Sequence, residues 1–212
     1  MTEDPWPAAR RLEAWAGETR VNLIRATALV VFYGHHLFNV YVFKDQQATA
    51  GPFHVQVTAL VVAWAAVTFL LHLCLLRRYL PPWLPFAVTF ADLAFTTGLL
   101  VISPDGPRSP LVFLYFVVVA TTPLRLSLPL VWAATLGAMV GAVIALGHYI
   151  FIRIGRDAYF APDSQVRIPQ SSEVIFLLTV GAAGILAGQA VRQARRLVYG
   201  YPVTVEEPRE TA

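Results

Sequence analysis

Long apolar runs separated by short polar clusters dominate the chain, and they predict six helices: Val21–Phe43, Val55–Leu76, Trp83–Ile102, Pro110–Leu124, Leu128–Ile152 and Glu173–Val191. About 20 helical residues cross a ~30 Å hydrocarbon core, so most of these runs have the length of a membrane span. The fourth is short, and Pro123 near its end should tighten or kink it. Backbone groups in lipid must be bonded internally, which leaves helices or a closed barrel. The period-two alternation of a barrel is absent.

Composition agrees with lipid as the solvent. The 212 residues are 57% hydrophobic and 14% charged, whereas a soluble domain carries about 25% charged residues. The expected fold is therefore an all-α integral membrane protein, a six transmembrane helix bundle with both termini cytoplasmic. Orientation rests on the basic residues. Arg10, Arg11, Arg20, Arg77, Arg78, Arg125, Arg192, Arg195 and Arg196 fall on the proposed inner side, against Lys44, Arg108, Arg153, Arg156 and Arg167 outside. The organisation expected is a cytoplasmic segment 1–20, a membrane domain 21–191 and a short cytoplasmic tail 192–212, in the cell inner membrane. Residues 1–20 show no cleavable signal peptide. With Trp6, Leu12 and Trp15 among basic neighbours, they read either as a helix lying on the membrane surface or as a disordered tail.

The net charge of +3 is small and sits at the ends of apolar runs, which suits lipid headgroups rather than nucleic acid. Cys74 is the single cysteine, so neither an intrachain disulfide nor a cysteine metal site can form. Small residues recur at helical spacing in the fifth run (Ala134, Gly137, Ala138, Gly141, Ala142, Ala145) and the sixth (Gly181, Gly184, Gly188). Such stripes let helix backbones approach closely in lipid, within one bundle or across a homodimer seam.

Polar groups inside the runs are the candidate chemistry. Asn22, Arg25, His36 and Asn39 fall on one face of the first helix with His35 at its border, and Arg25 is near enough to the cytoplasmic end to snorkel. Asp92 lies mid-helix with Thr89 and Thr96 on its face, where their hydroxyls could bond the carboxyl. It reads as a proton-handling or quinone-facing group, or as a neutral helix contact. Haem would need two histidines at one depth, and only His35 or His36 with His148 approaches that. His54 and His148 otherwise read as interfacial. No metal spacing, nucleophile elbow, carboxylate pair or phosphate loop is present, so no enzyme is expected.

The loop "SPDGPRSPLVFLYF", residues 103–116, is constrained by Pro104, Pro107 and Pro110, with Asp105-Gly106 as a turn signal. Ser109 followed by Pro110 reads as a helix cap and first helical residue. Arg108 supplies a cation, the unbonded N–H groups after Pro110 supply donors, and Phe113, Tyr115 and Phe116 supply flat apolar surface. That combination suits a quinone. It equally suits a capped turn that binds nothing.

Residues 90–136, "FADLAFTTGLLVISPDGPRSPLVFLYFVVVATTPLRLSLPLVWAATL", resemble the six-helix membrane sensor region of bacterial histidine kinases, most closely the RegB-type redox sensors. In that family the loop between the third and fourth helices typically reads Gly-Gly-x-x-Asn-Pro-Phe and is implicated in quinone sensing. Gly106 and Pro110 match it, while Asp105, Ser109 and Leu111 stand where the family has Gly, Asn and Phe. The resemblance implies a quinone-responsive sensor. Its candidate ligand-binding residues are Gly106, Arg108, Ser109, Pro110, Phe113 and Asp92. No histidine follows His148, so kinase domains are not expected. The reading is a stand-alone membrane sensor-like module signalling through a separate cytoplasmic or membrane protein, with Arg192, Arg195 and Arg196 as contact surface. The alternative is a structural or accessory subunit of a membrane redox complex, holding quinone or haem.

Overall fold

The computed structural model describes residues 6–43, 51–160 and 169–199. Among them there is no strand. Seven helices are seen: α1 Trp6–Tyr41, α2 Gly51–Leu76, α3 Leu84–Ile102, α4 Leu114–Thr121, α5 Leu128–His148, α6 Arg156–Tyr159 and α7 Gln170–Tyr199. Among the described residues four stretches are long and apolar enough to cross a membrane: Pro52–Leu76, Leu84–Ile102, Leu128–Ile154 and Ser171–Leu197. The protein is an α-helical membrane protein.

The remaining apolar segment, Pro110–Arg125, is shorter and not uniformly α-helical. Tight 3₁₀ turns at Pro110–Phe113 and Thr122–Arg125 flank α4. Pro110 and Pro123 each lack a backbone N–H at these points, which favours the tighter turns at the ends. Leu126 then takes a left-handed conformation, φ +50°, and reverses the chain into α5. At its far end α5 relaxes into a π turn, Tyr149–Ile154, before Gly155 at φ +86° breaks it.

α1 differs most from expectation. It begins at Trp6 rather than Val21 and runs 36 residues without a break. The reason lies in its partner. A side chain at Gly17 would put its Cβ 2.5 Å from the Leu124 carbonyl oxygen, so the bare glycine lets α1 dock against the 122–125 turn. Trp15 Nε1 donates to the Leu75 carbonyl at the end of α2, 3.0 Å away. Residues from 14 onward are thus held against the bundle.

The main core joins α3, α4, α5 and α7 through Leu93, Leu100, Tyr115, Val119, Val131, Ala138 and Val180. The small-residue faces of α5 and α7 turn inward. Gly184 lies against Thr135, and a Cβ at Gly141 would sit 2.6 Å from Thr97 Oγ1 and 2.7 Å from Tyr115 Oη. A second cluster, Val57, Trp64, Leu99 and Leu114, carries α2. α1 packs chiefly along α2 and the 122–125 turn. A cleft remains beside it.

Candidate functional site

The cleft has a volume of about 440 Å³ and is lined by α1, α2, α3, α4 and the 103–111 loop. Its middle is apolar, formed by Ala28, Leu29, Phe32, Leu99, Leu114 and Val118. Polar groups stand at its two ends.

At the end toward the 122–125 turn, the inner one in the expected orientation, Arg25 reaches across to Asp92. Arg25 Nε donates to Asp92 Oδ1 at 2.7 Å and one terminal nitrogen donates to Oδ2 at 2.6 Å. The other terminal nitrogen donates to Asn22 Oδ1 at 2.9 Å, and Trp64 Nε1 donates to Asp92 Oδ1 at 2.9 Å. Both charged side chains are buried. Arg25 therefore does not snorkel, because a fork-shaped guanidinium meeting a carboxylate gains two charge-assisted bonds out of water. Nor do the threonines bond the carboxyl as expected. Thr96 Oγ1 donates to the Asp92 backbone carbonyl at 2.8 Å, and Thr89 Oγ1 donates to the Pro85 carbonyl at 2.8 Å. Helical threonine finds the carbonyl four residues back at closer range than a neighbouring side chain.

A second buried pair follows toward the 122–125 turn. Arg125 Nε lies 2.6 Å from Glu18 Oε1, and its terminal nitrogens donate to Glu18 Oε2 at 3.0 Å and Thr89 Oγ1 at 2.6 Å. Glu18, Asn22 and Arg25 thus form one polar face of α1 against Arg125, Thr89 and Asp92. Arg195 of α7 donates to the Leu126 carbonyl at 2.7 and 3.0 Å, so the same turn ties α1, α3 and α7 together.

At the other end, the outer one in the expected orientation, His36 Nε2 and His54 Nδ1 lie 3.1 Å apart, one ring donating to the other according to tautomer. Tyr33 stacks on His36, and Phe53 meets it edge-on. His35 Nε2 bonds Asn39 instead, 3.2 Å away. His54, expected at the interface alone, is the partner of His36. His148 ends α5 and does not line the cleft, so neither His35 nor His36 is brought to it for haem. α1 packs chiefly on α2 and the 122–125 turn, whereas α5 packs chiefly on α3 and α7. Among the described residues no group of three or more His, Cys, Asp or Glu could hold a metal.

The loop forms two 3₁₀ turns, Gly106–Arg108 and Pro110–Phe113. Ser109 caps the second, its hydroxyl accepting from the Leu111 N–H at 3.3 Å. Gly106 takes φ +52°, and a Cβ there would meet the Tyr149 ring at 2.5 Å. Arg108 is exposed, and its side chain has no partner among the described residues. Phe113 turns to a separate apolar cavity of about 400 Å³ shared with Phe116, Phe176 and Glu173. Of the candidate residues, Asp92, Ser109, Pro110, His35 and His36 line the cleft, whereas Gly106, Arg108, Phe113 and His148 do not.

The sequence pattern does not point to Trp64, His54, Glu18 or Arg125 as members of these clusters; it puts Arg25 on the face of the first helix that turns into the bundle, and the structure overturns only its snorkelling. One signal was available. Arg25, about one turn into the first predicted span, and Asp92, midway along the third, carry opposite charges, and each is costly in a span alone.

Compared with protein-family models, curated proteins and solved structures, the chain matches none.

Proposed function

We propose that the chain is a membrane sensor module whose cleft takes up a lipid-soluble ligand of quinone type and which passes its signal to a partner protein. In this reading six segments cross the inner membrane and both ends lie in the cytoplasm. α1 and Pro110–Arg125 complete the six. α1 is less apolar because its polar face turns inward, and Pro110–Arg125 gains reach from its 3₁₀ turns, which rise ~2 Å per residue.

One observation carries the reading: a largely apolar cleft within the bundle, of ligand-binding size, with its charged pair toward one end and its histidines toward the other. A flat ring bearing carbonyls suits that surface. Coupling to the cytoplasm has a direct path. α1 is one uninterrupted helix from the cleft to Glu18, and Glu18 grips the turn that also holds Arg195. Arg192 and Arg196, exposed on α7 nearby, offer a basic surface to a partner.

The test is titration of a short-tailed benzoquinone into the purified protein in lipid nanodiscs, with crosslinking to find the partner. Saturable binding with a co-purifying signalling protein is expected. Absence of saturable binding sinks the ligand, and absence of a partner sinks the signalling role. A Soret band lost in His36→Ala would favour the accessory redox subunit instead.

A further inference from the structure

The cleft's two polar ends are not equivalent, and the difference places the ligand's head. This inference rests on the reading of the cleft as a ligand site. At the outer end most polar groups are already engaged or turned aside, and Asp105, an exposed carboxylate on the lining, can accept a bond but has no hydrogen to give a carbonyl. Ser109 caps its helix, His36 and His54 bond each other, and Arg108 does not line the cavity. At the inner end bonding capacity is left over. A guanidinium has five N–H groups, and three of those on Arg25 have acceptors, Asp92 twice and Asn22 once. The other two have none among the described residues. Asp92 accepts three bonds, from Arg25 and Trp64, and a carboxylate has about four lone-pair sites.

We infer that the Arg25–Asp92–Trp64 cluster is the seat of the ligand's head, and that the head is uncharged and carries a carbonyl. A carbonyl accepts from the free Arg25 N–H groups. The charge follows from the pair itself. Arg25 and Asp92 cancel, and their neighbours Asn22 and Trp64 are neutral, so a charged head would enter an apolar cavity with no counter-ion. This excludes a fatty-acid carboxylate and a lipid ammonium. The tail lies along Ala28, Leu29, Phe32 and Val118, toward the outer end.

The test uses the full chain in phosphatidylcholine nanodiscs and a benzoquinone with a ten-carbon tail, read by tryptophan quenching. Arg25→Met with Asp92→Leu removes both charges together while filling the same space, and it should fold yet bind at least roughly tenfold more weakly, the loss expected when a hydrogen bond to a charged group goes. Arg108→Ala with Ser109→Ala should bind like the native chain, and decanoic acid should not compete. Ala28→Phe should block the cleft and abolish binding. Native-strength binding by the Arg25→Met/Asp92→Leu chain, with Ala28→Phe still blocking, overturns the head seat and leaves the cleft reading intact. Unchanged binding in Ala28→Phe, or none by the native chain, overturns both. A photoreactive group on the quinone ring gives an answer independent of any variant's folding. Labelling near Arg25, Trp64 or Asp92 supports the seat, and labelling confined to residues 103–113 overturns it.

Discussion

Arg25 and Asp92, 67 residues apart in sequence, meet through two charge-assisted bonds of 2.6 and 2.7 Å. The pair bridges α1 to α3 across the cleft that both helices line. Removing one partner leaves the other charge buried and alone. Arg25→Ala or Asp92→Ala should therefore each destabilise by roughly 3–5 kcal/mol, whereas Arg25→Met with Asp92→Leu should fall near the native value or above it. Thermal unfolding in detergent micelles distinguishes them. Single and double variants of equal stability would mean the pair is not buried.

Glu18 and Arg125 make the corresponding contact at the 122–125 turn. Glu18→Ala strands a buried guanidinium that keeps only Thr89, and should also cost roughly 3 kcal/mol or more. Glu18→Gln keeps an acceptor and should cost less. Hydrogen exchange gives the location: amides of α1 before Val21 should lose protection in Glu18→Ala, with little change beyond Leu29. A uniform loss along α1 would argue against a local clamp.

Two glycines on α5 should respond to alanine with opposite sign. At Gly141 a methyl would meet Thr97 Oγ1 and Tyr115 Oη at 2.6 and 2.7 Å, and overpacking there should cost about 1–3 kcal/mol. At Gly147 nothing lies within 4 Å, so Gly147→Ala should gain up to about 1 kcal/mol from helix propensity. Paired unfolding curves check this, and equal effects would refute the close approach at Gly141.

The histidine pair can be isolated by a double-mutant cycle. His36→Ala and His54→Ala should show a coupling of about 0.5–1.5 kcal/mol, that of one hydrogen bond. The cycle of His36 with His148 should show none. Coupling in the second cycle would revive the haem arrangement that the fold separates.

The four apolar helices were legible because partition into lipid is additive along a run and needs no knowledge of neighbours. The start of the fourth segment was legible for a related reason. Pro110 and Ser109 act on their own backbone, and the Ser109 cap forms as the Ser-Pro pair predicts. The small-residue faces of α5 and α7 could also be read, since the spacing that puts Gly181, Gly184 and Gly188 on one face is local geometry. α1 was harder. Residues 6–20 carry charge and lack an apolar core, and their place as the start of a single long helix depends on Gly17 meeting Leu124, a contact across 107 positions.

By itself the sequence determined a helical membrane protein, the course of its apolar helices and which residues were too polar for lipid. Only the tertiary structure decided where those polar residues turned. Arg25 could reach water or Asp92, and Asp92 could meet threonines or a guanidinium. Each choice depends on the rotation and depth of a second helix, which no local pattern specifies. The same holds for the candidate loop. Its turns are local chemistry, but whether Ser109, Arg108 or Phe113 faces a cavity follows from the packing of α1 chiefly against α2 and the 122–125 turn.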